Sequence, residues 1–204
     1  MTKVKLCGIS RECDILAVNE IKPEYIGFVF AKKSKRYVTP QKAAELKRLL
    51  SGEIKAVGVF VDESADEVVR LLNEEVIDIA QLHGNEDDDY ILEIKERTNK
   101  PVIKAFQINS NVDSDTIFKA INNSKADFVL LDAGKGDGKT FDWSLTDKVE
   151  REFFLAGGLD INNVNEAIIK AHPMAVDLSS GIETDGVKDK DKMAAIVSAV
   201  RKGD

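Results

Sequence analysis

Short apolar runs rich in β-branched and aromatic residues recur eight times along the 204 residues, and segments with helical spacing separate them. The runs are KVKLCGI (3–9), YIGFVF (25–30), KAVGVFV (55–61), IDIAQLHG (77–84), PVIKAFQ (101–107), ADFVLLDA (126–133), FFLAGGL (153–159) and AVDLSSG (175–181). Helix start signals fall in the gaps. TPQKAAELKRLL offers Thr39 as a cap with Pro40 in the first turn, SADEVVRLLNEE has Ser64 followed three residues later by Glu67, and DINNVNEAIIKA carries the same periodicity. Strands that begin roughly every 25 residues, each followed by a helix, pair in parallel through crossover helices. Eight such units predict an α/β fold, a single-domain (β/α)8 TIM barrel with parallel strands over residues 1–204, near the lower size limit of that architecture. An open doubly wound sheet needs fewer strands and carries its phosphate fingerprint in the first turn, where LCGISREC has no GxGxxG.

Composition narrows the class. Hydrophobic residues make up 43% and charged residues 32% of the chain, as expected of a globular protein with a sizeable core. The apolar stretch in MTKVKLCGI is too short for a signal peptide, and no run approaches the ~18 residues of a membrane span, so a cytoplasmic protein without a membrane partner is expected. Cys7 and Cys13, six residues apart, are expected to be free thiols. A net charge of -7 argues against a nucleic acid partner, although a locally positive pocket can still take a small anionic substrate.

A barrel builds its active site where strands end and the following loops begin, which makes the strand tips the place to look for chemistry. Two tips carry glycine: AGGLDINNV, with Gly157 and Gly158, and DLSSGIE, with Ser179, Ser180 and Gly181. Both expose backbone N–H groups able to surround an anion, and they follow the seventh and eighth strands, the usual phosphate position in barrels. Glycines that only permit tight turns are the competing explanation.

Strand alternation puts Lys3, Lys5 and Cys7 on one face, with Gly8 leaving room for a ligand beside the thiol. On spacing alone Cys7 is balanced between a small core residue and a reactive thiol that Lys5 would help to ionise. Asp132 ends FVLLD, where an aspartate after four apolar residues suits a general acid of raised pKa, or a turn cap. Arg36 lies among Lys32, Lys33 and Lys35 after the second strand; such a run is usually a solvated surface, but a guanidinium at the barrel mouth would fit a carboxylate. Gln81 and His83 share a face of the fourth strand. A lone histidine is more often structural, and without metal-ligand spacing no metal is expected. His172 reads as a surface residue at a helix end, and Cys13 as core or surface on the first helix.

Taken in order, KLCGIS, GFVFAKKSKRYVTP, VGVFVDE, QLHG, LLDAGKGDGKTFDW, LAGGLDINNV and VDLSSGIE resemble the phosphoribosylanthranilate isomerase family of tryptophan biosynthesis, and they span the whole chain. The resemblance implies a (β/α)8 barrel that converts N-(5-phosphoribosyl)anthranilate into 1-(2-carboxyphenylamino)-1-deoxyribulose 5-phosphate by an Amadori rearrangement, with no metal or organic cofactor. It also implies Cys7 as general base at C2 of the ribose and Asp132 as general acid at the ring oxygen. Arg36 would lie near the anthranilate carboxylate, the Gly157–Gly158 and Ser180–Gly181 turns would hold the phosphate, and Asp177 would orient the sugar or support the site. Gln81 and His83 join the substrate-binding set. The chain departs from the family at GKGDGKTFDW, where Asp137 puts a negative charge between Gly136 and Gly138 in a loop expected near an anionic substrate; those two glycines still allow a lid. Two rivals are the related sugar-phosphate isomerase of histidine biosynthesis, whose resemblance calls for aspartates at both catalytic tips, and a barrel that binds a phosphate ligand without turnover. Monomer and homodimer both remain open.

Overall fold

The computed structural model describes residues 1–108, 114–132 and 142–203. Eight parallel strands close into a barrel in chain order: β1 (Lys3–Cys7), β2 (Tyr25–Val29), β3 (Lys55–Phe60), β4 (Ile79–Leu82), β5 (Val102–Gln107), β6 (Phe128–Asp132), β7 (Phe153–Ala156) and β8 (Ala175–Leu178), with β8 pairing back onto β1. Every expected strand forms; β5 ends with its apolar run, and the other seven end one to three residues before theirs, because the last residues of those runs turn out into the loops.

Helices α1 (Glu12–Ile21), α2 (Pro40–Leu49), α3 (Ala65–Asn73), α4 (Asp88–Thr98), α5 (Ser114–Asn123), α6 (Val164–Ala171) and α7 (Lys190–Gly203) surround the strands. The expected caps are in place: Thr39 Oγ1 accepts from the Lys42 amide at 3.1 Å and Ser64 Oγ from the Glu67 amide at 3.4 Å, each satisfying a donor that the first helical turn leaves free. Helix α6 starts later than its sequence pattern, since the Asn163 side chain first accepts from the Asp160 amide at 2.9 Å and the Asp160 carboxylate from the Asn162 amide at 2.7 Å. Two connections depart from plain alternation. A 3-10 helix, Trp143–Lys148, stands between β6 and β7, and between β8 and α7 the chain makes a 3-10 turn, Ser180–Ile182, then a hairpin of β9 (Glu183–Thr184) and β10 (Val187–Lys188). Asp185 and Gly186, with φ of 52° and 78°, form the hairpin's two-residue turn, a backbone that Asp-Gly adopts readily.

Alternation along each strand sorts side chains into two cores. Outward-facing residues such as Leu6, Phe28, Phe60 and Leu131 pack against the helices. Inward-facing Tyr25, Val57, Ile79, Ile103, Leu130, Phe154 and Ala175 fill the barrel, so its interior is packed rather than open. Phe154 sits at the centre of that packing, fully buried, with ring centroids 5.4 Å from Tyr25 and 6.1 Å from Phe128 in edge-on contacts. No helix among the described residues is long and apolar enough to cross a membrane.

Phe154→Ala leaves a hole that neighbouring strands cannot collapse to fill, and we expect it to cost about 3–5 kcal/mol. Urea unfolding of the variant beside the parent chain measures this; a loss below about 1 kcal/mol would mean the interior repacks.

Candidate active site

Above the packed layers, at the C-terminal ends of the strands, lies a cavity of about 270 Å3. Cys7, Arg36, Gln81, His83, Asp132, Gly157, Gly158, Asp177 and Ser180 all line it. Among the residues expected to contact a ligand, only Gly181 stands off this wall. Its place is set by close packing, for a Cβ there would lie 2.1 Å from the Leu159 carbonyl oxygen, so glycine lets the loops after β7 and β8 touch. Asp137 and its flanking glycines lie outside the described residues.

The thiol sits where three strands meet. Register places Cys7 beside Gly27 of β2 and Lys5 beside Asp177 of β8. A Cβ on Gly27 would come within 2.7 Å of Cys7 Sγ, so the missing side chain is what gives the sulfur room. Directly below, Lys5 is fully buried inside the barrel and donates to Asp177 Oδ2 at 2.7 Å. A buried ammonium survives only with such compensation. Burial pushes the Cys7 thiol above its usual pKa, with Asp177 adding to the rise while Lys5 and Lys188 oppose it. Asp177 Oδ1 is buried and has no partner among the described residues, and the same holds for Gln81 Oε1. Two acceptors on the cavity wall are thus open to a ligand's hydroxyl groups.

Across the cavity, Gln81 Nε2 lies 3.1 Å from His83 Nδ1, and His83 Nε2 lies 3.1 Å from Asp132 Oδ2. With the amide placed this way Gln81 donates to Nδ1, which leaves the hydrogen on Nε2 to be donated to the Asp132 carboxylate. Exchanging the two ends of the amide reverses the chain and makes a protonated Asp132 the donor. The turn after His83 is pinned from behind: Glu86 accepts from the Asp62 and Gly84 amides, each at 2.9 Å, and Lys104 of β5 donates to Glu86 and to the Gly84 carbonyl, each at 2.8 Å.

Arg36 does reach the barrel mouth, and there it already holds a carboxylate. Its Nε and Nη2 donate to Glu183 at 2.6 and 2.8 Å, a two-pronged pairing that leaves Nη1 without a partner among the described residues. Lys188 donates to the same Glu183 at 2.6 Å and to the Ser179 carbonyl at 2.8 Å. Burial pushes the Glu183 carboxyl up, but the hydrogen bonds and charges of Arg36 and Lys188 outweigh it and hold its pKa at about 2. Glu183 and Lys188 come from the β9–β10 hairpin and were not expected from the sequence pattern, although the Asp185-Gly186 pair is a legible hairpin signal. The paired Lys104 and Glu86 were missed too; Cys13 is exposed on α1 and His172 is exposed just past the end of α6, both outside the cavity.

A closed parallel barrel with its titratable side chains gathered in one cavity at the strands' C-terminal ends has the architecture of a (β/α)8-barrel enzyme. The sequence model of the family described as "N-(5'phosphoribosyl)anthranilate (PRA) isomerase" matches residues 4–199, and the chain belongs to that family. The N-(5'-phosphoribosyl)anthranilate isomerase of Endomicrobium trichonymphae is 45% identical over 206 residues, covering 98% of this chain and 99% of its own. The crystal structure of phosphoribosyl anthranilate isomerase from Thermotoga maritima superposes with a TM-score of 0.87 at 35% identity, covering 99% and 100% of the two chains. A further phosphoribosyl anthranilate isomerase structure, 35% identical with a TM-score of 0.85 and the same coverage, was solved in complex with reduced 1-(o-carboxyphenylamino)-1-deoxyribulose 5-phosphate.

A carboxyl held at about 2 in the fold, against an ordinary value of 4.5, stabilises the protein fully above about pH 4.5 and progressively less as pH falls toward 2. Glu183→Gln should therefore lower the thermal midpoint near pH 6 more than near pH 3. Calorimetry at both pH values reads this, and an equal loss at the two would contradict the pairing.

Proposed function

We propose that the chain catalyses the Amadori rearrangement of N-(5'-phosphoribosyl)anthranilate to 1-(2-carboxyphenylamino)-1-deoxyribulose 5-phosphate, with Cys7 as general base and Asp132 as general acid. The observation that carries this reading is that β1 and β6 deliver a thiol and a carboxyl to one cavity, each backed by its own polar partners. Asp132 gives a proton to the ring oxygen; the C1–O bond breaks as the nitrogen lone pair forms an iminium. That positive charge acidifies the neighbouring C2–H, which the Cys7 thiolate removes, and the electron pair moves into C1=C2 to give an enolamine. Loss of the enol proton and protonation at C1 yield the ketone. Oxidation at C2 is balanced by reduction at C1, so the sequence closes with proton transfers alone.

Binding follows from the remaining wall. Arg36 presents Nη1 to the anthranilate carboxylate while Glu183 holds the other edge of the fork. The orphan oxygens of Asp177 and Gln81 suit ribose hydroxyls. At the far side Gly157 and Gly158, with φ of 92° and 63°, turn their backbone in a way other residues resist, and Ser180 opens the 3-10 turn beside them. These two turns receive the phosphate, with Gly181 supporting the contact between them.

Purified protein should consume N-(5'-phosphoribosyl)anthranilate, and absence of enzyme-dependent consumption would sink the proposal. Cys7→Ala and Asp132→Asn should each lower kcat by about 10²–10⁴-fold while reduced product analogue still binds. Near-normal turnover in either variant would remove that residue from its role. Arg36→Ala should raise KM and weaken product binding; if both constants stayed put, the carboxylate contact would be wrong.

A further inference from the structure

We propose that Lys188 is a positioning residue which, from behind the cavity wall, favours the basic thiolate form of Cys7 against the burial that opposes it, and that Glu183 holds the Lys188 ammonium in place. This rests on the reading of Cys7 as general base.

Lys188 is buried, its side chain 3% exposed, and it is absent from the cavity lining, so it is placed to act on the site without touching a ligand. A Cβ on Gly8, the residue after Cys7, would lie 3.2 Å from both Cε and Nζ of Lys188, which sets the ammonium against the backbone next to the thiol. Ser179 closes the link: Lys188 donates to its carbonyl at 2.8 Å, and Ser179 Oγ donates to the Cys7 carbonyl at 3.3 Å. The hairpin that delivers Lys188 is fixed in turn by Arg11, which donates to the Lys188 carbonyl at 2.8 Å, and by the Asp189 amide bonded to the Ile182 carbonyl at 2.9 Å.

Charge counting around Cys7 shows what this arrangement does. From β1 and β8, Lys5 and Asp177 form a pair of zero net charge. From the loop after β2 and from the hairpin, Arg36, Glu183 and Lys188 form a group with two cations and one anion, one positive charge in excess. Asp132, with His83, faces the thiol from the other side of the cavity. A lysine accepted into the interior at the cost of its own hydration, and only half neutralised by a carboxylate shared with Arg36, leaves a positive field where a thiolate would complete the balance. Burial lowers the Lys188 pKa, while Glu183 and Cys7 both favour its charged form.

The test follows Cys7 alkylation by iodoacetamide against pH, by mass spectrometry, in a Cys13→Ser background so that only one thiol reports. Lys188→Met should raise the alkylation midpoint by about one pH unit, an approximately tenfold loss of thiolate below the midpoint, and lower kcat/KM at neutral pH by a similar factor. That deficit should close at high pH, and Lys188→Arg should restore most of both. An unchanged midpoint in folded Lys188→Met overturns the proposal. If that variant does not fold, Lys188→Gln serves: it keeps a donor toward Glu183 and Ser179 while removing the charge, so the midpoint should still rise, and a midpoint that stays or falls is equally fatal. A shifted midpoint with unaltered kcat/KM would leave the Lys188–Cys7 coupling standing and remove Cys7 as the base, which separates failure of this proposal from failure of the reaction assignment.

Discussion

Closing the barrel brings Lys5 of the first strand beside Asp177 of the last, and the site depends on that pairing. Neither charge could enter the interior alone, since an unpaired buried ion costs several kcal/mol, while together they are tolerable. The pair does more than complete the sheet. It lies just below the mouth and, with Gln81, gives the cavity a polar floor above the apolar packing of the barrel interior. Cys7 stands on this floor, two residues up the same strand face from Lys5, and every property of the thiol follows from being buried there beside a cation and an anion.

Small residues do the complementary job of making room. Gly27 clears the neighbouring strand for the sulfur, Gly8 lets the Arg36 stem and Lys188 lie across the first loop, and Gly181 lets two loops meet. Gly27 lies within β2, and Gly8 and Gly181 in the loops after β1 and β8; at each a methyl group would have to displace a side chain or backbone atom of the site.

How much of this could be read from the sequence divides along the range of the interactions. Strand number, parallel pairing and the caps at Thr39 and Ser64 depend on local patterning and appeared as expected. So did the common face of Lys5 and Cys7, because alternation fixes it without knowledge of the neighbours. The partner of Lys5 was out of reach, for it is 172 residues away and is chosen by the register across the closing seam. Arg36 shows a different limit. Its loop composition suggested a carboxylate partner, yet nothing local showed that Glu183, 147 residues on, would fill one edge of the fork first. Lys188 was hidden by the regularity of the β/α alternation itself, which offered no place for a hairpin between the last strand and the last helix.

Opposing influences on one thiol give the proposed chemistry its balance. A base must be present in ionised form and still bind a proton strongly, demands that pull its pKa in opposite directions. Burial supplies the second, by raising the pKa of the Cys7 thiol, and Lys5 and Lys188 supply the first by opposing that rise. Asp132 is constrained in the converse way: a general acid must start protonated, yet it faces a histidine able to stabilise its anion. Moving one proton from Cys7 to Asp132 meets both requirements and leaves the total charge of the cavity unchanged. The resting and reactive forms then differ only in where a single proton resides, so the surrounding charges can be arranged once and serve both.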